Sequence, residues 1–325
     1  MSNEKMTDIS PLFNINVLRF AINLTTIKTL SISDIGASYR GQIGYCLKQI
    51  SCQFDQFQEV DCADCTIPDN CYYTSLFSPI SALQIINDKT IKMSPSPVRP
   101  FVFSFMTDEK NGLISPDKPF RIMFTVFGPG IQSSSIFSAA TIQASENMGF
   151  TVESIEFLYP ENQPIEKDLI LKDWLNDCDV SDQKLILRCH TPLSMKKNNQ
   201  VMQSQFTFLD IIKAIIRRLR DLKRYYGNDE NMGHITKEFY ETAKKNHCAT
   251  KNVVYQNKKR YSHRQHKLLP LSGFMGDVVL SGNFQLFMPL LKASELIHIG
   301  RGTSSGNGCV SFNIEKGISQ NIDGL

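Results

Sequence analysis

The chain has 325 residues, 42% apolar and 21% charged, with a formal net charge of +3, the balance of a globular protein with room for two domains. No apolar run approaches the roughly 20 residues of a membrane helix, and neither a G-x-x-x-x-G-K-[ST] loop nor a glycine-rich turn opening a helix is found, which argues against nucleotide hydrolysis or dinucleotide binding. The polar start at Met1–Lys5 reads as no secretory leader, and the nine cysteines read as reduced or metal-bound thiols of a cytoplasmic protein.

In chain order, residues 13–22 show the partial alternation of a half-buried strand. Residues 38–52 read as a helix with Ile43, Leu47 and Ile50 on one side. Cys52, Cys62, Cys65 and Cys71 follow, and the central C-x-x-C sets two sulfurs where one tetrahedral ion can hold both. Asp61, Asp64 and Asp69 make this segment too polar to fold on apolar burial. A structural Zn²⁺ is expected there, although free surface thiols, a redox pair or an iron–sulfur cluster would use the same residues. Cys46, Cys178, Cys189, Cys248 and Cys309 read as scattered core or incidental cysteines.

Aromatic, β-branched strands are expected at 101–105 and 120–127, the second ended by Gly128-Pro129-Gly130. A helix at 136–148 and a strand at 150–159 complete a β-α-β-β-α-β order. Residues 160–182 are acidic and polar. They set a boundary between a domain at 1–160, carrying the cysteine insertion at about 52–71, and one at 183–325, with 161–182 as linker. The same order then recurs: strand 183–191, helix 205–226, strands 252–259 and 273–282, helix 289–295 and a final strand. The expected class is α+β, with tandem ferredoxin-like domains.

Charge is unevenly spread. Residues 196–267 hold seventeen Lys and Arg against six Asp and Glu, a net +11 that leaves −8 elsewhere. Such asymmetry points to one surface that meets a polyanion, and a lysine-rich solvated loop would look the same. On the 205–226 helix, Phe208, Ile212, Ile215, Leu219, Leu222 and Tyr226 recur as a core face. Lys213, Arg217, Arg220 and Arg224 form a basic stripe that either tracks a phosphate backbone or is a solvated face shared with Asp221. Lys258, Lys259, Arg260, Tyr261, His263, Arg264 and His266 form a second basic cluster.

The most informative stretch is His298-Ile299-Gly300-Arg301-Gly302-Thr303-Ser304-Ser305-Gly306-Asn307-Gly308. Its glycines admit left-handed backbone and close approach. Successive exposed N–H groups would form an anion-binding concavity, to which Arg301 adds a planar fork. An ordinary strand-connecting loop has the same composition.

This loop resembles the glycine-rich motif of the RAMP superfamily of CRISPR-associated proteins: Gly-apolar-Gly, five residues with a Lys or Arg, then Gly-apolar-Gly. His298 stands for the first glycine and Asn307 for the second apolar residue. Tyr39-Arg40-Gly41-Gln42-Ile43-Gly44-Tyr45 with the four cysteines, Leu187-Arg188-Cys189-His190-Thr191-Pro192-Leu193, and Arg260-Tyr261-Ser262-His263-Arg264 are similar to the branch of repeat-specific endoribonucleases with a four-cysteine insertion. The resemblance runs from about residue 36 to the end.

It implies metal-independent cutting of precursor CRISPR RNA within its repeats. A 2′-hydroxyl attacks the adjacent phosphorus and leaves 2′,3′-cyclic phosphate and 5′-hydroxyl ends. CRISPR repeat RNA, crRNA and subunits of an effector complex are the implied partners, with no membrane and no nucleotide cofactor. Tyr45 stands where related sequences often carry a histidine. The expected acid–base residue is His298, facing Tyr45 and Lys48 across an interdomain cleft, with His263 and His266 as the next choices. Phosphate contacts are expected from Arg301 with Gly300, Gly302, Gly306 and Gly308, then from Arg264, Arg260, Lys258, Lys259 and His263, then from Arg217, Arg220 and Arg224. The alternative is an inactive crRNA-binding subunit of an effector complex. A zinc-containing RNA-binding protein outside CRISPR is a third.

Overall fold

The structure, a computed structural model, describes residues 6–59, 62, 65, 71–77, 98–108, 112–160, 168–175, 184–257, 259–262 and 267–314. The first half is built from β1 (Val17–Thr26), α1 (Ile32–Ser51), β2 (Phe101–Met106), β3 (Phe120–Phe127), α2 (Ser134–Asn147) and β4 (Phe150–Leu158). The second half repeats the order with β5 (Lys184–Leu193), α3 (Phe208–Tyr226), β6 (His247–Gln256), β7 (Gly273–Ser281), α4 (Met288–Ile297) and β8 (Val310–Ile314). Each half is a four-stranded antiparallel sheet. Its first strand lies between the third and the fourth, and its second strand forms the edge beside the third. This is the ferredoxin-like arrangement, twice.

The first core is largely phenylalanine: Phe20, Phe101, Phe103, Phe120, Phe124 and Phe137 are buried, and Phe20 stacks on Phe124 with centroids 4.7 Å apart. Such pairs contribute about 0.5–1.5 kcal/mol each beyond the area they bury. In the second half, α3 is fixed at its start by a capping box. Thr207 Oγ1 accepts the Asp210 amide at 3.2 Å, while Asp210 accepts the Thr207 amide at 3.0 Å. All six residues of the expected core face of this helix are buried.

Two expectations change. α1 begins six residues before the expected helix, because Ser31 is its N-cap and nothing in 32–37 breaks it, whereas Ile50 is exposed. β6 begins at His247 rather than 252, because Asn252, at φ +54°, sits in a register shift that breaks the alternation. The two halves also touch through the chain segments that flank them. Residues before β1 run over the second half, with bridges Asp8–His234 and Ile15–Gly227. Lys223 is fully buried there and pairs with Asp229 at 2.9 Å while donating to the Asn14 carbonyl at 3.1 Å. Within the expected linker, Leu171 is buried and its amide donates to the Ile15 carbonyl at 2.9 Å.

Candidate RNA-processing site

The glycine loop is a wedge between the two halves. Its backbone needs glycine: residues 300, 302, 306 and 308 all have φ between +70° and +86°. Gly308 is the tightest, since a methyl there would lie 2.9 Å from the Ile299 carbonyl carbon and closer still to its oxygen. On the other side, Gly36 of α1 lies so close that an added Cβ would meet the Ser305 carbonyl oxygen at 2.5 Å. Thr191 clamps the loop's end by donating to the Gly306 carbonyl at 2.8 Å and accepting the Cys309 amide at 3.0 Å.

Most of the loop's amides serve the loop. Gly306 donates to Thr303, Gly308 to Pro192, Arg301 to Ser194 and Ile299 to Gly308. Gly306 and Gly308 are buried, so the expected row of exposed N–H groups is not formed there. The solvent-facing tip is Arg301 and Gly302, with Gly300 half-buried.

His298 does not have the exposure that proton transfer to an RNA requires. It is 2% exposed, at φ +53°, and its Nδ1–H donates to the Asn307 carbonyl at 3.2 Å. Burial is the main cause that pushes its pKa down to about 3, and nearby Arg218, His190 and Arg19 push the same way. The flanking Ile297 and Ile299 are buried too, and they draw the imidazole in. In the structure it links the start of the loop to Asn307 near its end. Because the folded pKa lies below the ordinary 6.5, His298 contributes stability that is complete above about pH 6.5 and is lost as pH falls toward about 3. The slope is about 1.4 kcal/mol per pH unit. His298→Gln should flatten this part of the acid limb in urea unfolding between pH 7 and 5, and an unchanged slope would contradict it.

Tyr45 and Lys48 do not face His298. The loop meets α1 at Gly36, and Tyr45 lies nine residues further, about 13 Å along the axis. Tyr45 is exposed, its hydroxyl accepts from Gln58 at 3.3 Å, and its ring packs edge-on against Phe57. Lys48 holds its ammonium 6.0 Å from the Tyr73 ring and acts on the cysteine segment. Burial raises the Cys62 pKa, Lys48 lowers it, and Cys71, Cys65 and Cys52 raise it further. The four thiols thus share a neighbourhood. Among the described residues, however, no group of three or more potential ligands is disposed to hold a metal ion, so the expected Zn²⁺ has no ligand shell here.

One histidine that the sequence reading assigned no role does face solvent beside the loop. His190 on β5 is exposed, donates its amide to the Cys309 carbonyl at 3.0 Å and shares a 2.8 Å hydrogen bond between Nε2 and Ser311 Oγ. Next to it, Arg188 grips Asp277 with two bonds of 2.8 and 2.9 Å. Desolvation by its packed surroundings and then Arg188 lower the His190 pKa, with Asp277 opposing, which favours the neutral ring at pH 7. The outward alternation of Lys184, Arg188 and His190 was the signal in the sequence that could have found it.

The basic stripe of α3 is separate from the loop. Arg218 is buried and its Nε donates to the Ile297 carbonyl at 3.3 Å, so its side of the helix faces the loop. At about 100° per residue, Lys213, Arg220 and Arg224 lie about 140°, 160° and 120° from Arg218. They therefore face the opposite way, so the loop and the stripe do not form one seam. Lys258, His263, Arg264 and His266 lie outside the described residues. Lys259, exposed, and Arg260 lie in a hairpin strand, 259–262, paired with 267–270. Among the described residues no helix is long and apolar enough to cross a membrane.

Residues 187–310 match the family of the CRISPR-associated endoribonuclease Cas6, and residues 13–173 match AF_1859_N, an N-terminal domain family. No curated protein matches the chain in sequence. The fold is similar to that of a Thermus thermophilus Cas6, with 12% identity and a TM-score of 0.52 over 92% of this chain and 99% of that one. A Cas6 product complex has 12% identity and a TM-score of 0.50, covering 91% and 100%. A partial Cas6-RT-Cas1–Cas2 complex has 13% identity and a TM-score of 0.50, covering 96% of this chain and 48% of that one. The second half of this chain is thus Cas6-like in sequence, and the whole is Cas6-like in fold.

Proposed function

We propose that this protein is an endoribonuclease that cuts precursor CRISPR RNA within its repeats, in the cytoplasm, with the interdomain glycine loop beside the cut. The observation that carries the reading is the Cas6 match over residues 187–310, which contain that loop and β5 from Leu187 onward. In this reading the upstream 2′-hydroxyl loses its proton and its oxygen bonds to the adjacent phosphorus, the bond from phosphorus to the 5′ oxygen breaks, that oxygen takes a proton from solvent to leave as a 5′-hydroxyl, and a 2′,3′-cyclic phosphate remains.

The exposed Arg301 and Gly302, with the half-buried Gly300, would meet the phosphates, and the guanidinium would offset the charge that builds on the equatorial oxygens. His190, its neutral ring favoured at pH 7 and steadied by Ser311, would take the 2′ proton. Tyr45 and Lys48, on the exposed side of α1, would contact RNA further from the loop. The hairpin cations Lys259 and Arg260, with Lys258, His263 and Arg264, would extend the phosphate contacts.

A second reading is a crRNA-binding subunit without activity, favoured by the lack of any histidine on α1. Incubation with the host's own repeat RNA in EDTA separates the two. A cut RNA supports the nuclease, and a bound but intact RNA supports the binding subunit.

A further inference from the structure

The groove on the outer side of α3 is not explained by a cut at the glycine loop. It is a cavity of about 570 Å³ between α3 and the short helix Lys237–Lys244. Its rim carries Lys213, Arg217, Arg220, Arg224 and Lys244, and two carboxylates, Asp221 and Glu241, face them. Glu241 is taken by Lys244 at 2.7 Å. Burial raises the Asp221 pKa against the pull of Arg218, Arg224 and Arg217. The arginines therefore outweigh the one carboxylate left to them. Beneath the rim lie Leu209, Ile216 and Tyr240, with the Lys213 ammonium 5.9 Å from the Tyr240 ring.

The shape says what fits. From Lys213 to Arg224 the rim runs about 16 Å along the helix, too long for a single phosphate. Cations above an apolar and aromatic floor suit a single strand, whose phosphates meet the rim while a base lies on the ring. A duplex would offer the rim its phosphates and leave the floor unused. α3 is capped at its start and buried along its other side, so the helix backbone that carries these arginines is fixed before any RNA arrives.

We infer that this groove is a second RNA seat, which holds a single-stranded stretch of the same transcript away from the cut and keeps the product carrying that stretch. The inference rests on the reading of the protein as a repeat-RNA nuclease. Because the groove and the loop lie on opposite sides of α3, contacts made in the groove survive breakage of the strand at the loop.

The test compares a full repeat with flanking sequence against a short RNA covering only the cut and a few nucleotides on each side. The variants are R217A/R220A/R224A, the same three positions changed to lysine, and Arg301→Ala. Each backbone contact to a single strand contributes about 0.7 to the slope of log affinity against log salt. The alanine triple variant should therefore bind the long RNA at least tenfold more weakly, with a slope shallower by about 2, and should release the long product faster. It should bind and cut the short RNA as the wild type does. The lysine variant should keep the slope, which excludes misfolding as the cause, and Arg301→Ala should weaken both RNAs. An unchanged slope on the long RNA overturns the inference. So does equal loss on both RNAs, which would put the groove at the cut. Failure of the wild type to bind any repeat RNA would instead remove the underlying reading, and this inference with it.

Discussion

Gly308→Ala is expected to unfold the second half at markedly lower urea concentration than the wild type, with the loss of any RNA-processing activity. The new methyl would be driven into the Ile299 carbonyl, which is main chain and cannot turn aside. Relief would break the Ile299 amide bond to the Gly308 carbonyl and the Gly308 amide bond to Pro192, which measure 3.0 and 3.2 Å. The left-handed backbone adds about 1–2 kcal/mol for any residue with a side chain, and each broken buried bond about 1 kcal/mol or more. The total is about 3 kcal/mol or more, a large share of the 5–15 kcal/mol typical of a domain. Gly302→Ala is the matched control. Its φ is +74°, but the nearest atom to an added methyl is the Asn307 side-chain nitrogen at 3.2 Å, so the cost should stay near the backbone term alone. Equal urea midpoints for the two variants would contradict the account of the loop.

His190→Ala is expected to lower the cleavage rate by about a hundredfold to ten-thousandfold, the usual contribution of a positioned acid–base group, with little change in RNA affinity. The sign of the pH dependence follows from the direction of its shift. The His190 pKa is held below 6.5, so a base at this position stays active at neutral pH and fails only in acid. The wild-type rate should rise with pH and level off below 6.5, and the variant should lose that limb. His190→Ala cutting at the wild-type rate with the same pH profile would remove His190 from the chemistry. A drop in affinity with no change in rate at saturation would make it a binding residue.

Much of the fold was legible, because the relevant patterns are local. The bounds of β3 could be read directly from eight residues, six of them aromatic or β-branched, ended by Gly-Pro-Gly. The buried face of α3 followed from its 3.6-residue period, and the repetition of the strand and helix order implied two similar domains. What was illegible depended on tertiary placement. Nothing local says that Arg218, one residue from the exposed Arg217, turns inward to a carbonyl of α4. The stripe and the loop therefore lie on different sides of α3, which their order in the chain does not reveal.

The site shows the same division. The glycines of the loop announce its left-handed backbone, whereas the histidine at its start is buried and bonded to the Asn307 carbonyl. Its apolar neighbours, Ile297 and Ile299, were the warning. The four cysteines looked like a ligand set because spacing along a chain says nothing about whether sulfurs converge on one point. His190 is legible from strand alternation alone, which places it on the outward face with Arg188.

The most direct test of the central claim uses the host's repeat RNA with a single 2′-deoxy substitution just upstream of the cut, in the presence of EDTA. The account predicts that the all-ribose RNA is cut to 2′,3′-cyclic phosphate and 5′-hydroxyl ends, while the substituted RNA binds and stays whole. Cutting of the substituted RNA, or cutting that appears only when a divalent metal is added, would contradict it.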